Sequence, residues 1–255
     1  MIQYSHQLWA SQTRQSIHEY RTELIGYMED VLARNLTQTY GHGRGIVMTA
    51  GNADTLKRVK WTLMMLRGYG CGLPVQIVSL VVSIHHHMAD EQYHFPSEAP
   101  AEDDPIRQEL SDLGGELVSV DGQIRDEGKS KSYHIKAAAI TDCPWREVLY
   151  LVSRFAHTVM RGTEQQDSDS IPLADPETLF SAPSYLRLGI WATPDYWKTP
   201  SNNPMWAIMG VKCRNEWEME SGQMVIDKKR HLDVMLLVRY MMEHHDFVSH
   251  QLMLF

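Results

Sequence analysis

The sequence predicts an α/β layer fold with a largely parallel sheet. Three observations carry that expectation. Short apolar runs recur through the first 151 residues. Between them lie stretches whose apolar residues fall at helical spacing. Gly, Pro, Asn and Asp mark the points where one pattern gives way to the other.

The elements follow in order. Tyr20, Leu24, Met28, Val31 and Leu32 fall on one face of an amphipathic helix, and Gly41 and Gly43 end that region. Residues 46–49, Ile-Val-Met-Thr, read as a buried strand. Asn52 caps a helix over 53–67, with Leu56, Val59, Leu63 and Leu66 on one face and Gly68 and Gly70 behind it. Residues 74–77 read as a second strand. Asp104-Pro105 opens another helix, with proline at its first position, and Gly114-Gly115 closes it. Residues 116–120 read as a strand, 131–141 as a helix ended by Pro144, and 147–151 as a strand. A last helix over 229–244 buries Leu232, Met235, Leu236 and Tyr240, and Met241 and Met242 belong to the core. Sheets of this kind bind ligands beyond the carboxyl ends of their strands. The loops after Thr49, Ile77, Val120 and Leu151 are therefore where chemistry is expected.

Composition narrows the class. At 255 residues, 43% apolar and 22% charged, the chain has the material of an ordinary globular domain. A net charge of −8 argues against a nucleic-acid partner, which calls for a basic face. Three cysteines, Cys71, Cys143 and Cys213, are too few for a disulfide framework; they read as three buried thiols, with a single bridge as the other reading. The first nine residues are polar, and the stretch 73–84 is too short and too often interrupted to span a bilayer. Taken literally, the chain is soluble and cytosolic, with no visible signal or anchor.

The sharpest chemical feature is Asp167-Ser168-Asp169, followed by Pro172 and by Asp175-Pro176. In an extended chain, carboxylates one residue apart point the same general way. They can share a hard divalent cation and leave its other positions for diphosphate oxygens. Alone, such a pair is more often a solvated acidic turn. His85-His86-His87 does not converge on one ion, because successive residues of a strand face opposite sides. His244-His245 sits at a helix end, where the dipole favours it. The second half holds Trp191, Trp197, Trp206 and Trp217, rings suited either to stacking on sugar faces or to ordinary packing.

The residues 45–51 (Gly-Ile-Val-Met-Thr-Ala-Gly), Lys136-Ala137-Ala138-Ala139-Ile140, the Asp167-to-Pro176 run, Pro194-Asp195-Tyr196-Trp197 and Glu220-Ser221-Gly222-Gln223 stand in a telling order. Together they resemble the successive motifs of the fungal α-mannosyltransferases of the Mnn type, over residues 45–247. The resemblance implies a GT-A type fold, GDP-mannose as donor, Mn²⁺ or another divalent cation, and a glycan or glycoprotein acceptor. It also implies retaining transfer in protein glycosylation, at the lumenal side of the Golgi membrane, with an N-terminal membrane anchor that this chain does not display. By resemblance, Asp167 and Asp169 match the metal motif, Asp169 being the more important ligand, and Asp167 also meets the diphosphate. Thr49, Ala50 and Gly51 match the nucleotide-facing turn, and Lys136 a position that meets the donor. Asp195, Glu220 and Gln223 are candidates for the transferred sugar or the acceptor; caps and surface charges are their other reading.

The pattern breaks in three places. Removing 78–92 joins Ile77 to Tyr93, and removing 152–166 joins Leu151 to Asp167. Both segments begin Val-Ser and end in Gln, and the match stops again before Val248-Ser249. Intron boundaries of the form GTAAGT and CAG read in frame as Val-Ser and Gln. The expectation is therefore an N-terminal helical segment (1–44), a catalytic domain (45–247) carrying two translated introns as exposed loops, and a non-native tail (248–255). The family also carries motif residues beyond the last helix, which makes the C-terminus incomplete by resemblance. Catalytic inactivity of the chain as written is the alternative to transfer.

Overall fold

The computed structural model describes residues 12–81, 99–121, 134–152 and 172–243. Helix α1 (Arg14–Ala33) opens on a reciprocal cap between Thr13 and Ser16. Strand β1 (Arg44–Thr49) leads into α2 (Ala53–Gly68), and β2 (Val75–Val81) follows. Next come α3 (Pro105–Asp112), β3 (Gly115–Asp121), α4 (His134–Asp142) and β4 (Glu147–Val152). A 3₁₀ turn (Pro176–Ser181) and α5 (Pro183–Leu188) lead to β5 (Ile190–Pro194), α6 (Met205–Met209), β6 (Met219–Asp227) and α7 (Lys228–Glu243).

One six-stranded sheet runs in the order β3-β2-β1-β4-β6-β5. The first four strands are parallel, with Met48 opposite Ile77 on one side and Leu151 on the other. The last two are antiparallel to their neighbours, Leu149 facing Val225 and Trp191 facing Val225 from the far side. The expected α/β class and the interior place of the Tyr150-Leu151 strand hold. The sheet is mixed, however, and β5 and β6 are strands that local patterning does not announce.

Period-two alternation sorts the core. Ile46, Met48, Leu149 and Leu151 face α2, whose Leu56, Val59, Leu63 and Leu66 are buried against them. Val47, Val148 and Tyr150 face the other way, onto Ala139 and Ile140 of α4 and Met235 of α7. A third cluster joins Tyr20 and Leu24 of α1 to Met205 and Ile208 of α6 and to Tyr240 and Met241 of α7. Local chemistry sets the helix starts. Asn52 Oδ1 accepts the Thr55 amide at 3.0 Å, and Asp104 Oδ1 accepts that of Ile106 at 2.9 Å, ahead of Pro105. Gly41 has φ +72°, and a Cβ there would run into the Pro144 carbonyl where β1 and β4 begin.

Four expectations need correcting. Strand β2 does not stop at Ile77 but continues to Val81. Val78 and Ser79 are buried, Val78 pairing with Thr49 and with Val118, so an exposed loop does not begin at 78. From Ile77 to Val81 only Ser79 is polar, and it is buried, so a nearly unbroken apolar run carries the strand onward past the Val-Ser pair. Leu32 is 59% exposed, because the end of α1 overhangs the third cluster. Leu236 is only half-buried, at the margin of the face that Leu232, Met235 and Tyr240 bury. Cys213 is exposed, while Cys71 and Cys143 are buried free thiols. The remainder of 78–92, most of 152–166, the histidines 85–87, His244-His245 and the 248–255 tail lie outside the described residues.

Candidate functional site

The carboxyl ends of β1 and β4 lie side by side, with Thr49 in register with Val152. Their loops leave on one edge of the sheet. The turn after β1 is tightly held: the Ala50 amide donates to the Val78 carbonyl at 3.1 Å, and the Gly51 amide to Thr55 Oγ1 at 3.1 Å. Ala50 and Gly51 are buried and Thr49 is half-buried. The Thr49 hydroxyl lies 2.9 Å from Tyr150 Oη, so the first and fourth strands are tied at the rim by side chains as well as by the ladder. The amino end of α2 opens on the same rim, where the unsatisfied amides of a helix favour an anion.

Helix α4 starts at this edge, and its Lys136 is buried. Its ammonium donates to Ser221 Oγ of β6 at 2.9 Å, a bond across 85 residues of sequence. Because β6 runs antiparallel to β4, its first half projects to the carboxyl edge, and Gln223 stands beside Leu151. The half-buried Glu220 accepts the Gly222 amide through Oε1 at 2.7 Å. A Cβ on Gly222 would sit 2.8 Å from that oxygen, the far end of a flexible side chain that can shift aside. Thus Thr49, Ala50, Gly51, Lys136, Glu220 and Gln223 are gathered on one edge by the topology.

Asp195 belongs to the same edge but is spent locally. It follows β5, where Pro194 pairs with Met219, and its own amide donates to the Glu218 carbonyl at 2.7 Å. Its carboxylate accepts the Tyr196 amide at 2.7 Å and the Trp197 indole N–H at 2.6 Å. The geometry makes Asp195 a fastener of the loop after β5. Glu218, which sequence patterning does not single out, accepts the Thr199 amide at 3.1 Å and the Thr199 hydroxyl through the same oxygen. It ties the far side of that loop to the start of β6.

Asp167 and Asp169 lie outside the described residues. Among the described residues, no group of three His, Cys, Asp or Glu side chains is arranged to hold a metal ion. Nor is any described helix long and apolar enough to cross a membrane.

The fold and its edge define a class: an α/β domain that presents, among the described residues, a buried cation, the amino ends of α2 and α4 and a rim of polar side chains beyond the carboxyl ends of parallel strands. The family follows from the sequence. Residues 43–216 match the family model described as a mannosyltransferase, Mannosyl_trans3, and this chain belongs to that family. It is similar to alpha-1,2-mannosyltransferase MNN21 of Candida albicans, 25% identical over 249 residues, which covers 77% of this chain and 32% of that protein. It is also similar to alpha-1,2-mannosyltransferase MNN22 of the same organism, 24% identical over 217 residues, 83% of this chain and 31% of that protein. The chain spans about a third of the length of these relatives.

Proposed function

We propose that this chain carries the donor side of a mannosyltransferase that moves mannose from GDP-mannose to a glycan acceptor in protein glycosylation, in the Golgi lumen. The observation that carries the reading is the Lys136–Ser221 bond. It puts a buried ammonium on the carboxyl edge of the sheet, the edge on which the turn from Thr49 to Gly51 and the amino end of α2 also lie, and a nucleoside diphosphate bound along that edge would meet a cation, a helix amino end and backbone donors. In transfer, the bond from the mannose anomeric carbon to the diphosphate oxygen breaks. A bond from that carbon to an acceptor hydroxyl oxygen forms, and the hydroxyl proton is lost. Retention of the α configuration and a GT-A type fold belong to the same proposal. Glu220 and Gln223 contact the transferred sugar, and Asp195 keeps the acceptor-side loop in place.

Asp167 and Asp169 form a hard, paired carboxylate set that suits Mn²⁺ or another divalent cation. Bound there, the cation would neutralise the charge that builds on the leaving diphosphate. Fourteen residues, 153–166, stand between the end of β4 at Val152 and this pair, so the first residue of the 152–166 segment is itself paired in the sheet. Closing such a loop costs roughly 2 kcal/mol of chain entropy, so the fold tolerates it. Catalysis does not, because a displacement of about 1 Å is enough to cost two orders of magnitude. We therefore propose that the chain binds GDP but transfers mannose poorly, and that 152–166 is a translated intron.

Thermal unfolding with GDP tests both parts. GDP is expected to raise the midpoint of this chain, and Lys136→Met to remove the effect. Removal of 152–166 is expected to add a Mn²⁺-dependent increment and to restore transfer. Absence of any GDP effect in either chain would sink the donor reading. Robust turnover by the chain as written, or codons at residues 152–153 other than GTN-AGN, would sink the interruption.

A further inference from the structure

Residues 195–218 connect β5 to β6 and spring from the carboxyl edge of the sheet, since Pro194 and Met219 are paired there. Trp206, Val211, Arg214, Glu216, Trp217 and Glu218 of this connection line an open cleft of about 280 Å³. That lies near the lower end of ligand pockets, roughly 300–1,000 Å³, and suits a short saccharide end rather than a whole nucleotide sugar.

The cleft is built rather than incidental. Its floor is fixed from behind: Arg21 of α1 donates through Nη1 to the carbonyls of Ala207 and Ile208, each at 3.1 Å, and Met205 and Ile208 are buried in the third cluster. The Trp206 indole N–H donates to the Pro200 carbonyl at 2.9 Å, which sets its ring. Glu218 is held by Thr199 on one side and by its backbone bonds to Asp195 and Trp197 on the other. Trp217, by contrast, remains 57% exposed, an unusual place for a large aromatic ring. The Lys198 ammonium lies 4.5 Å from its centroid and donates to Asn215 Oδ1 at 2.9 Å, so the ring is oriented although exposed.

The chemistry of the lining selects its ligand. A pyranose offers an apolar face of C–H groups and a rim of hydroxyls. Indole rings take the first, while carboxylates and a guanidinium take the second, as acceptors and donors in fixed planes. Arg214 and Glu216 stand 3.9 Å apart, both exposed, a pair loose enough to turn toward a ligand. Arg214 and Lys198 balance Glu216 and Glu218, so the cleft attracts no polyanion and imposes no charge penalty on a neutral sugar.

We infer that this cleft is the acceptor subsite, holding the mannose end of the glycan against Trp217 and Trp206 with Arg214 and Glu216 on its hydroxyls. The inference rests on the donor reading of the sheet edge. Its test is ligand-observed saturation-transfer NMR on the full chain with α-mannobiose, with maltose as the control sugar. Wild type should show saturable transfer from mannobiose and none from maltose. Trp217→Ala should weaken mannobiose at least ten-fold and Glu216→Gln at least three-fold, with unfolding midpoints near wild type because both side chains are exposed. No transfer in wild type, equal response to maltose, or unchanged affinity in both variants would overturn the subsite. GDP stabilisation measured on the same samples separates the two claims. A GDP effect without a Trp217-dependent sugar response removes the cleft and leaves the donor site. A Trp217-dependent sugar response without a GDP effect supports the cleft as a saccharide site and removes the donor site beside it.

Discussion

The two edges of the central sheet are built differently. At the amino edge, charged side chains are held by several bonds each. Arg146 grips Asp227 with two bonds, at 2.9 and 2.7 Å, and Arg44 meets Glu147, which also accepts the Tyr185 hydroxyl. Arg67 donates to the carbonyls of Leu113, Cys71, Leu73 and Gly114. Lys228 is fully buried and donates to the carbonyls of Thr141, in the last turn of α4, and of Cys143, just past it. At the carboxyl edge the partners are uncharged: Thr49 meets Tyr150, Lys136 meets Ser221, Glu220 meets a backbone amide, and Asp195 and Glu218 each hold two donors of the loop after β5. Ion pairs and shared donors fasten the amino edge, whereas the charged groups of the carboxyl edge meet uncharged donors and acceptors.

That division can be broken in graded ways. Lys228→Ala should have the largest effect. Burial holds the Lys228 ammonium below its usual range, and its removal leaves two carbonyls without their donor. A loss of about 3–4 kcal/mol is expected in denaturant unfolding. Arg67→Ala should cost about 2–3 kcal/mol, since four carbonyls at the base of β2 and β3 lose one shared donor. Arg146→Ala should cost less, about 1–2 kcal/mol, because that guanidinium is partly exposed and screened.

The Arg146 pair also gives a dependence on pH. Burial alone would raise Asp227, yet the bonds and charge of Arg146 and the Lys229 amide together hold its carboxyl below the ordinary 3.8. A lowered folded value means that the contribution is present above the ordinary value and is lost as pH falls through the lowered one. Acid unfolding below pH 3.8 should therefore be shallower in Asp227→Asn than in wild type, measured at matched ionic strength. The smallest stability effect belongs to the carboxyl edge. Lys136→Met should change unfolding by less than about 1 kcal/mol while weakening GDP at least ten-fold by calorimetry. Were Lys136→Met to cost as much as Lys228→Ala, the contrast between the edges would collapse.

What the sequence discloses follows the same line. Helices α2 and α3 are legible because cap, apolar stripe and left-handed closing glycine agree locally, at Asn52 and Gly70 for one and at Asp104-Pro105 and Gly114 for the other. Strands β1 and β4 are legible because both faces are buried and their runs are wholly apolar. Strands β5 and β6 are not, since Gly222 and Pro194 dilute their pattern and only pairing with distant chain makes them strands. The extension of β2 through Val81 is legible in its apolar run, Val78, Leu80 and Val81 around one serine, whereas the family resemblance points to a break after Ile77. In the site, the turn at Thr49-Gly51 and the cation at Lys136 were nameable one by one. Their union through Ser221 spans 85 residues and leaves no local trace. Asp195 carried a residue type suited to catalysis, yet its neighbours Tyr196 and Trp197 claim both of its oxygens.

The place of β6 has a consequence for how the chain is made. Strand β4 is complete at Val152, but the neighbour that covers its second side is β6, which begins at Met219. A ribosome extruding this chain therefore releases an apolar strand whose outer row of amides and carbonyls has no partner until 227 has emerged. Such a row is a template for pairing with another nascent copy. Chaperone demand should be set by that interval, and a translational pause between 152 and 219 should raise aggregation more than one placed after 227.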